Sequence, residues 1–399
     1  MKRIGLLPRL LIGIVLGIIL GLIAPQWLMR AIVTVTDLFG NYLNFIVPLI
    51  IVAFVVPGIA DLGRGAGRVL GFSVFMSYAS TVLWAFAALG ISILLIPMIV
   101  DDTQPLSSAV YVAQDVAAYF SIDMPPLANI TSAIILAFMI GVGISLTKAQ
   151  GMRSLFNEFH SIIALILDKT VIPFLPVFIA GIFAQLAYSG GIVKILGIFG
   201  KVFLLVVLFQ FLANFLEYVI ASIYRKGEPS VATFIRNQVP SWITAMGTQS
   251  SAATIPITLQ TAEKNGTSQD IRDFFIPLSA TIHFPGSSIA ITIFTVAVIY
   301  MEQMTLSLSS MIGFILLMGI TMVAAPGIPG GAVMAALGLL QVIFGFNETQ
   351  LALMIALYLA QDSFGTACSV AGNCALVTII DKRAEKLARR EQKLKKVEG

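Results

Sequence analysis

Any fold open to this chain must accommodate the run from Leu351 to Ile380. It is apolar, long enough to cross a bilayer, and broken near its middle by one ionisable residue, Asp362. A carboxylate at that depth costs about 2.5–3.5 kcal/mol on insertion scales, so by default it marks a functional site. Thr366, Ser369 and Asn373 follow at i+4, i+7 and i+11, which places all four side chains on one polar stripe of a helix. Gly365 and Gly372 share that face, where missing side chains let a ligand or another backbone come close. The plainer reading is a polar seam between packed helices; the charge argues against it.

Hydrophobic residues make up 58% of the 399 positions and charged residues only 11%, which excludes a soluble globule and gives an all-α polytopic membrane protein. Eight apolar runs read as transmembrane helices: about 6–24, 38–59, 69–100, 127–146, 162–188, 192–223, 274–300 and 351–380. The net charge of +4 comes from basic residues at membrane flanks, so it reads as a topology signal and not as the mark of a nucleic-acid partner. No Lys or Arg occurs from Val69 to Thr147, which puts the polar loop around 101–126 outside. Arg64, Arg68, the segment Lys148 to Arg153 and both termini then fall inside. Glu217 reads either as a functional residue or, as is expected so near Arg225 and Lys226, as one that snorkels toward that inner surface. Cys368 and Cys374 sit six residues apart on one helix. That is about 9 Å along the axis, beyond disulfide reach. No spacing of His, Cys or carboxylates suggests a metal site.

From Ser230 onward the apolar runs are interrupted. "VPSWITAMGTQSSAATIPITLQTA" breaks at Gly247 to Ser251, and each arm is too short to span, which predicts a re-entrant hairpin over about 229–262 whose returning half-helix starts near Thr254 and Pro256. The next run is broken at "HFPGSS", where Pro285 and Gly286 permit an unwound backbone. A second hairpin, about 307–345, breaks at Pro326, Gly327, Pro329, Gly330 and Gly331, and the Asp362 helix follows. Matched discontinuous segments in a doubled unit point to a secondary transporter with its binding site near the bilayer midplane. Half-helix N-termini at the tips suit a carboxylate, and Asp362 suits an ammonium, so together they describe a receptor for a zwitterion such as an amino acid. No nucleophile arrangement is evident beside His283, so an enzyme is not expected.

The order of hairpin, broken helix, hairpin and Asp-bearing last helix, with "SSAATIP", "GIPGG" and "DSFGTACSVAGN", resembles the dicarboxylate/amino acid:cation symporters, the glutamate transporter family, over nearly the whole chain. The resemblance implies that Ser250 and Ser251 hold the substrate α-carboxylate and that Asp362 holds the amine with Thr366 beside it. It further implies that Ser369 stands where relatives usually have Asn, that Ser287 and Gly330 line the site, and that the second tip is a gate. Departures are equally informative. Acidic-substrate relatives carry Arg where this chain has Gly365, or just before the tip serines where it has Gln249, so a neutral substrate is expected and Gly365 leaves room for a large one. Where the family has Asn-Met-Asp-Gly-Thr, this chain has His283-Phe284-Pro285-Gly286-Ser287, and a late last-helix Asp is Asn373. Two carboxylates that ligate sodium in relatives are therefore absent, which leaves His283, Thr281 and Asn373 as ion-coupling candidates, with His283 able to carry a proton or to stay neutral against the broken backbone.

The resemblance implies eight transmembrane helices plus two re-entrant hairpins in an elevator-type fold, assembled as a homotrimer in a bacterial inner membrane. Residues 1–66 and 127–190 would form the scaffold, 67–126 and 191–381 the transport domain, and 382–399 a basic cytoplasmic tail. No cofactor is called for beyond a coupling ion, proton or sodium; the partners are an amino acid and membrane lipid. The alternatives are a sodium-coupled symporter of dicarboxylates or acidic amino acids and, more distantly, an ion channel.

Overall fold

The computed structural model describes residues 6–62, 68–100, 116–128, 130–188, 192–323 and 330–398. Its helices, in chain order, are α1 (Leu6–Ile23), α2 (Gln26–Leu62), α3 (Arg68–Ile99), α4 (Ile130–Thr147), α5 (Gln150–Ile166), α6 (Ile172–Tyr188), α7 (Ile192–Tyr224), α8 (Val231–Thr248), α9 (Ser251–Lys264), α10 (Gln269–Ile282), α11 (Pro285–Met301), α12 (Leu308–Val323), α13 (Gly331–Phe344) and α14 (Glu348–Glu398). Arg64, most of the loop expected outside (101–115), and Pro326, Gly327 and Pro329 lie outside the described residues.

Four described stretches are long and apolar enough to cross a membrane: Gly71–Ile99, Gly197–Tyr224, Gln269–Met301 and Leu353–Lys386. A fifth counts if the pair Gln150–Val171 and Pro176–Gln185, bent by 52°, is one span. Two of these are enclosed by the protein itself. The most apolar part of the Gln269–Met301 stretch is buried, and in α11 every residue but Tyr300 is buried, as a helix apolar on all sides should be. The other three differ from the expected spans mainly in length. α2 starts at Gln26 and not near Leu38, and α5 and α6 flank a π-helical turn at Leu167–Val171.

Packing falls into two neighbourhoods. α1 lies along α6, where Gly13, Gly17 and Gly21 approach the carbonyls of Pro176, Ala180 and Ala184 so closely that a Cβ would collide, and α2 packs on α4, α5 and α6. In the other, α11 packs between α3 and α14, α14 packs on α7 and α8, and α8 pairs with α9. α13 touches both, reaching α2 and α4 as well as α12 and α14. At one end Arg225, just past α7, pairs with Asp381 of α14 at 2.8 Å. The basic segment expected as a tail continues α14 as helix to Glu398.

Each expected break is present where it is described. α8 and α9 are separated at Gln249 and Ser250, α10 and α11 at His283 and Phe284, and α13 begins at Gly331 after Gly330. Pro285 occupies the first turn of α11, where its missing N–H has no intrahelical partner to lose. α9 starts three residues before Thr254, so Pro256 sits inside it. The Ser250 hydroxyl is what sets that start, because it caps α9 by accepting from Ala253 N–H at 3.2 Å.

Candidate functional site

The three breaks converge on successive turns of α14. Gln249 adopts a left-handed conformation at the end of α8 and its Nε2 donates to Ser363 Oγ at 3.1 Å. Gly330 donates its N–H to Asp362 Oδ2 at 2.8 Å. Its φ of +74°, and the 2.8 Å that would separate a Cβ from Leu359 Cδ2, both require glycine at this place. The α10–α11 break meets α14 further along, where Gly286 N–H donates to Ser369 Oγ at 3.2 Å and His283 Nδ1 lies 2.7 Å from Asn373 Oδ1.

Asp362 is buried, and its two oxygens are unequally held. Oδ2 takes the Gly330 N–H, a charge-assisted bond of the class worth about 1.5–3 kcal/mol. Oδ1 receives the Thr366 hydroxyl at 3.4 Å, a long and weak contact. The Tyr358 hydroxyl, one turn earlier, also interacts with the carboxylate and bonds Ser287 Oγ at 2.8 Å.

Other candidates have duties within the protein. Ser369 donates to Gly365 O at 3.0 Å while accepting from Gly286, so its hydroxyl locks α11 to α14. That lock depends on close approach: a Cβ on Gly286 would stand 2.1 Å from Gly365 O. Ser251 is buried at the first turn of α9, and Ser250 is half-buried at its cap. Thr281 is exposed, and its hydroxyl returns to Leu278 O at 2.8 Å, so its side chain stands apart from His283.

Two expectations are corrected. The space beside Gly365 is filled: a Cβ there would meet the Gln361 amide at 3.2 Å and Gln210 Nε2 at 3.5 Å, and Gln210 Nε2 donates to both Gln361 Oε1 and Gly286 O at 2.9 Å. Glu217 does not snorkel. It is buried, with Oε1 accepting from Trp84 Nε1 at 2.8 Å, because α3 and α14 wall it in before it can reach Arg225. Ser80 Oγ joins it to His283, lying 3.5 Å from Glu217 Oε1 and 3.0 Å from His283 Nε2. Trp84 and Ser80 were not singled out from the sequence, although Ser73, Ser77, Ser80, Thr81 and Trp84 form a helical stripe on α3 that follows the same spacing rule as α14. Cys368 and Cys374 are both free and buried, as their spacing requires.

The family model described as "Sodium:dicarboxylate symporter family" matches residues 6–383. The chain belongs to that family. Its members are membrane transporters of the sodium:dicarboxylate or glutamate type and not enzymes.

Proposed function

We propose that this symporter carries a neutral amino acid, binding its ammonium at Asp362 and its carboxylate at the first tip around Ser250 and Ser251. The observation that supports this most is the meeting of two helix breaks at consecutive residues of α14, Gly330 on Asp362 and Gln249 on Ser363. The N-terminal end of α9 carries the partial positive charge that suits a carboxylate, and Asp362 is the carboxylate that an ammonium would take. Gly330 would then close the second tip over the ligand while keeping its own bond to Oδ2. Between Glu348 and Asp381 the last helix has no Lys or Arg, and positions 365 and 249 are Gly and Gln, so nothing cationic stands ready for an acidic side chain.

In this reading the neighbourhood of α1, α2 and α4–α6 is the scaffold of a homotrimer, and α3 with α7–α14 slides across a bacterial inner membrane with both termini cytoplasmic. Each group packs more extensively within itself than against the other, which supports that division. Proton coupling replaces sodium coupling, because Pro285 and Asn373 stand where relatives have sodium-binding carboxylates. A second reading, a sodium-coupled dicarboxylate carrier, is favoured by the family description itself. Uptake into proteoliposomes decides: alanine, serine or glutamine accumulating under an inward proton gradient without sodium supports the first. Accumulation of succinate or aspartate only with sodium supports the second.

A further inference from the structure

α7 carries Gln210, Asn214 and Glu217 at i, i+4 and i+7, all buried on the face turned to Gly365 and Gly372 of α14. Gln210 Oε1, Asn214 Oδ1 and Glu217 Oε2 have no hydrogen-bond donor, and each such orphan costs about 1–3 kcal/mol. A buried carboxylate oxygen with no donor holds its charge uncompensated, and a proton on Glu217 Oε2 removes that charge.

The opposite side of Glu217 is arranged around a single hydrogen. Ser80 has one hydroxyl hydrogen and two takers, Glu217 Oε1 at 3.5 Å and His283 Nε2 at 3.0 Å. With Glu217 ionised the hydrogen is drawn to its carboxylate; with Glu217 protonated it is released to serve His283 Nε2. Gly372 makes the approach possible, since a Cβ there would lie 2.8 Å from Glu217 Oε2 and 3.1 Å from His283 Cε1.

The other titratable groups around this place are limited. On α7, Tyr218 stacks on Phe234; on α3, Tyr78 points to Leu316 O; at the α10–α11 break stands His283. On α14 are Asp362, ten residues away, the thiols of Cys368 and Cys374, and Asp381, which is paired with Arg225.

We infer that Glu217 is the residue that carries the coupling proton, with Ser80 and His283 as positioning residues that hold its second oxygen. An O–H bond forms at Oε2 when the proton is taken from one side of the membrane and breaks when it is released to the other; no other bond changes. The inference rests on the symport reading above and goes beyond it by naming the carrier, which sequence reasoning had sought at His283.

The test uses the full chain in weakly buffered detergent with a pH indicator, titrated with whichever of alanine, serine or glutamine stabilises it most in a thermal shift. The expected result is uptake of one proton per bound substrate in the wild type, the same stoichiometry at a displaced pH midpoint in His283→Gln, and none in Glu217→Gln. Reconstituted Glu217→Gln should keep sodium-free exchange of substrate while losing accumulation under a proton gradient. Substrate binding without proton movement in the wild type, proton uptake that survives in Glu217→Gln, or uptake abolished by His283→Gln would each overturn it. If Glu217→Gln does not fold, Glu217→Asp carries the test: a displaced pH midpoint of proton uptake supports the assignment and an unchanged one defeats it. A chain that binds none of the three amino acids removes the reading on which the inference rests.

Discussion

Asp362 and Glu217 are both acidic side chains buried at membrane depth, yet they are held in opposite ways. Asp362 meets a backbone N–H from a helix break and the hydroxyls of Thr366 and Tyr358. Glu217 meets two side chains from a neighbouring span on one oxygen and no donor on the other. The first arrangement waits for a cation with several hydrogens to donate, and the second for a single proton. In the proposed reading one carboxylate binds cargo and the other binds what drives it, and the difference lies in their partners, not in their depth.

The comparison breaks most easily at Asp362. Truncating one partner of a buried charge pair costs about 2–5 kcal/mol, so we expect Asp362→Asn to lower uptake of a radiolabelled neutral amino acid by about thirtyfold or more. Uptake at the wild-type rate would place the amine elsewhere. The next largest effect is expected from Gly372→Ala, whose Cβ would stand 2.8 Å from Glu217 Oε2. Overpacking of this kind costs about 1–3 kcal/mol, and accumulation under a proton gradient should fall by about tenfold while exchange is spared. A parallel loss of both would show that Gly372 serves packing alone.

Position 365 sharpens the contrast further. Gly365→Arg alone should give no preference for aspartate in competition assays, because the amides of Gln361 and Gln210 occupy the space the guanidinium needs. Gly365→Arg with Gln361→Ala should create that preference, and the single change succeeding alone would mean the amides yield freely. The smallest effect is expected from Gln249→Ala, which removes the link to Ser363 and weakens substrate binding by up to about tenfold, for a neutral hydrogen bond worth about 0.5–1.5 kcal/mol.

Much of this was legible in the sequence because helix breaks announce themselves. Ser250, Pro285 and Gly330 are residue types that backbone chemistry demands at a cap, a first turn and a left-handed position, and all three sit where the chain foretold a break. The stripe of Asp362, Thr366, Ser369 and Asn373 could be read from helical period alone. Glu217 was misread because its setting is made by residues far away in sequence, Trp84 above all, and snorkelling depends on what walls the side chain in. The signal was present all the same. The Ser73 to Trp84 stripe on α3 and the Gln210, Asn214 and Glu217 stripe on α7 follow the same spacing as α14, and three polar stripes within apolar helices must find one another. The filling beside Gly365 carried no such mark, since Gln361 reads as the neighbour of Asp362 and not as the occupant of a site.

Asp362 as the amine receptor is tested most directly by pairing each neutral amino acid with its N-acetyl derivative in thermal-shift titrations of the purified wild-type protein. Acetylation removes the ammonium and leaves the carboxylate and side chain. We expect stabilisation by at least one free amino acid and none by its acetylated form; equal stabilisation by both would contradict the assignment of Asp362.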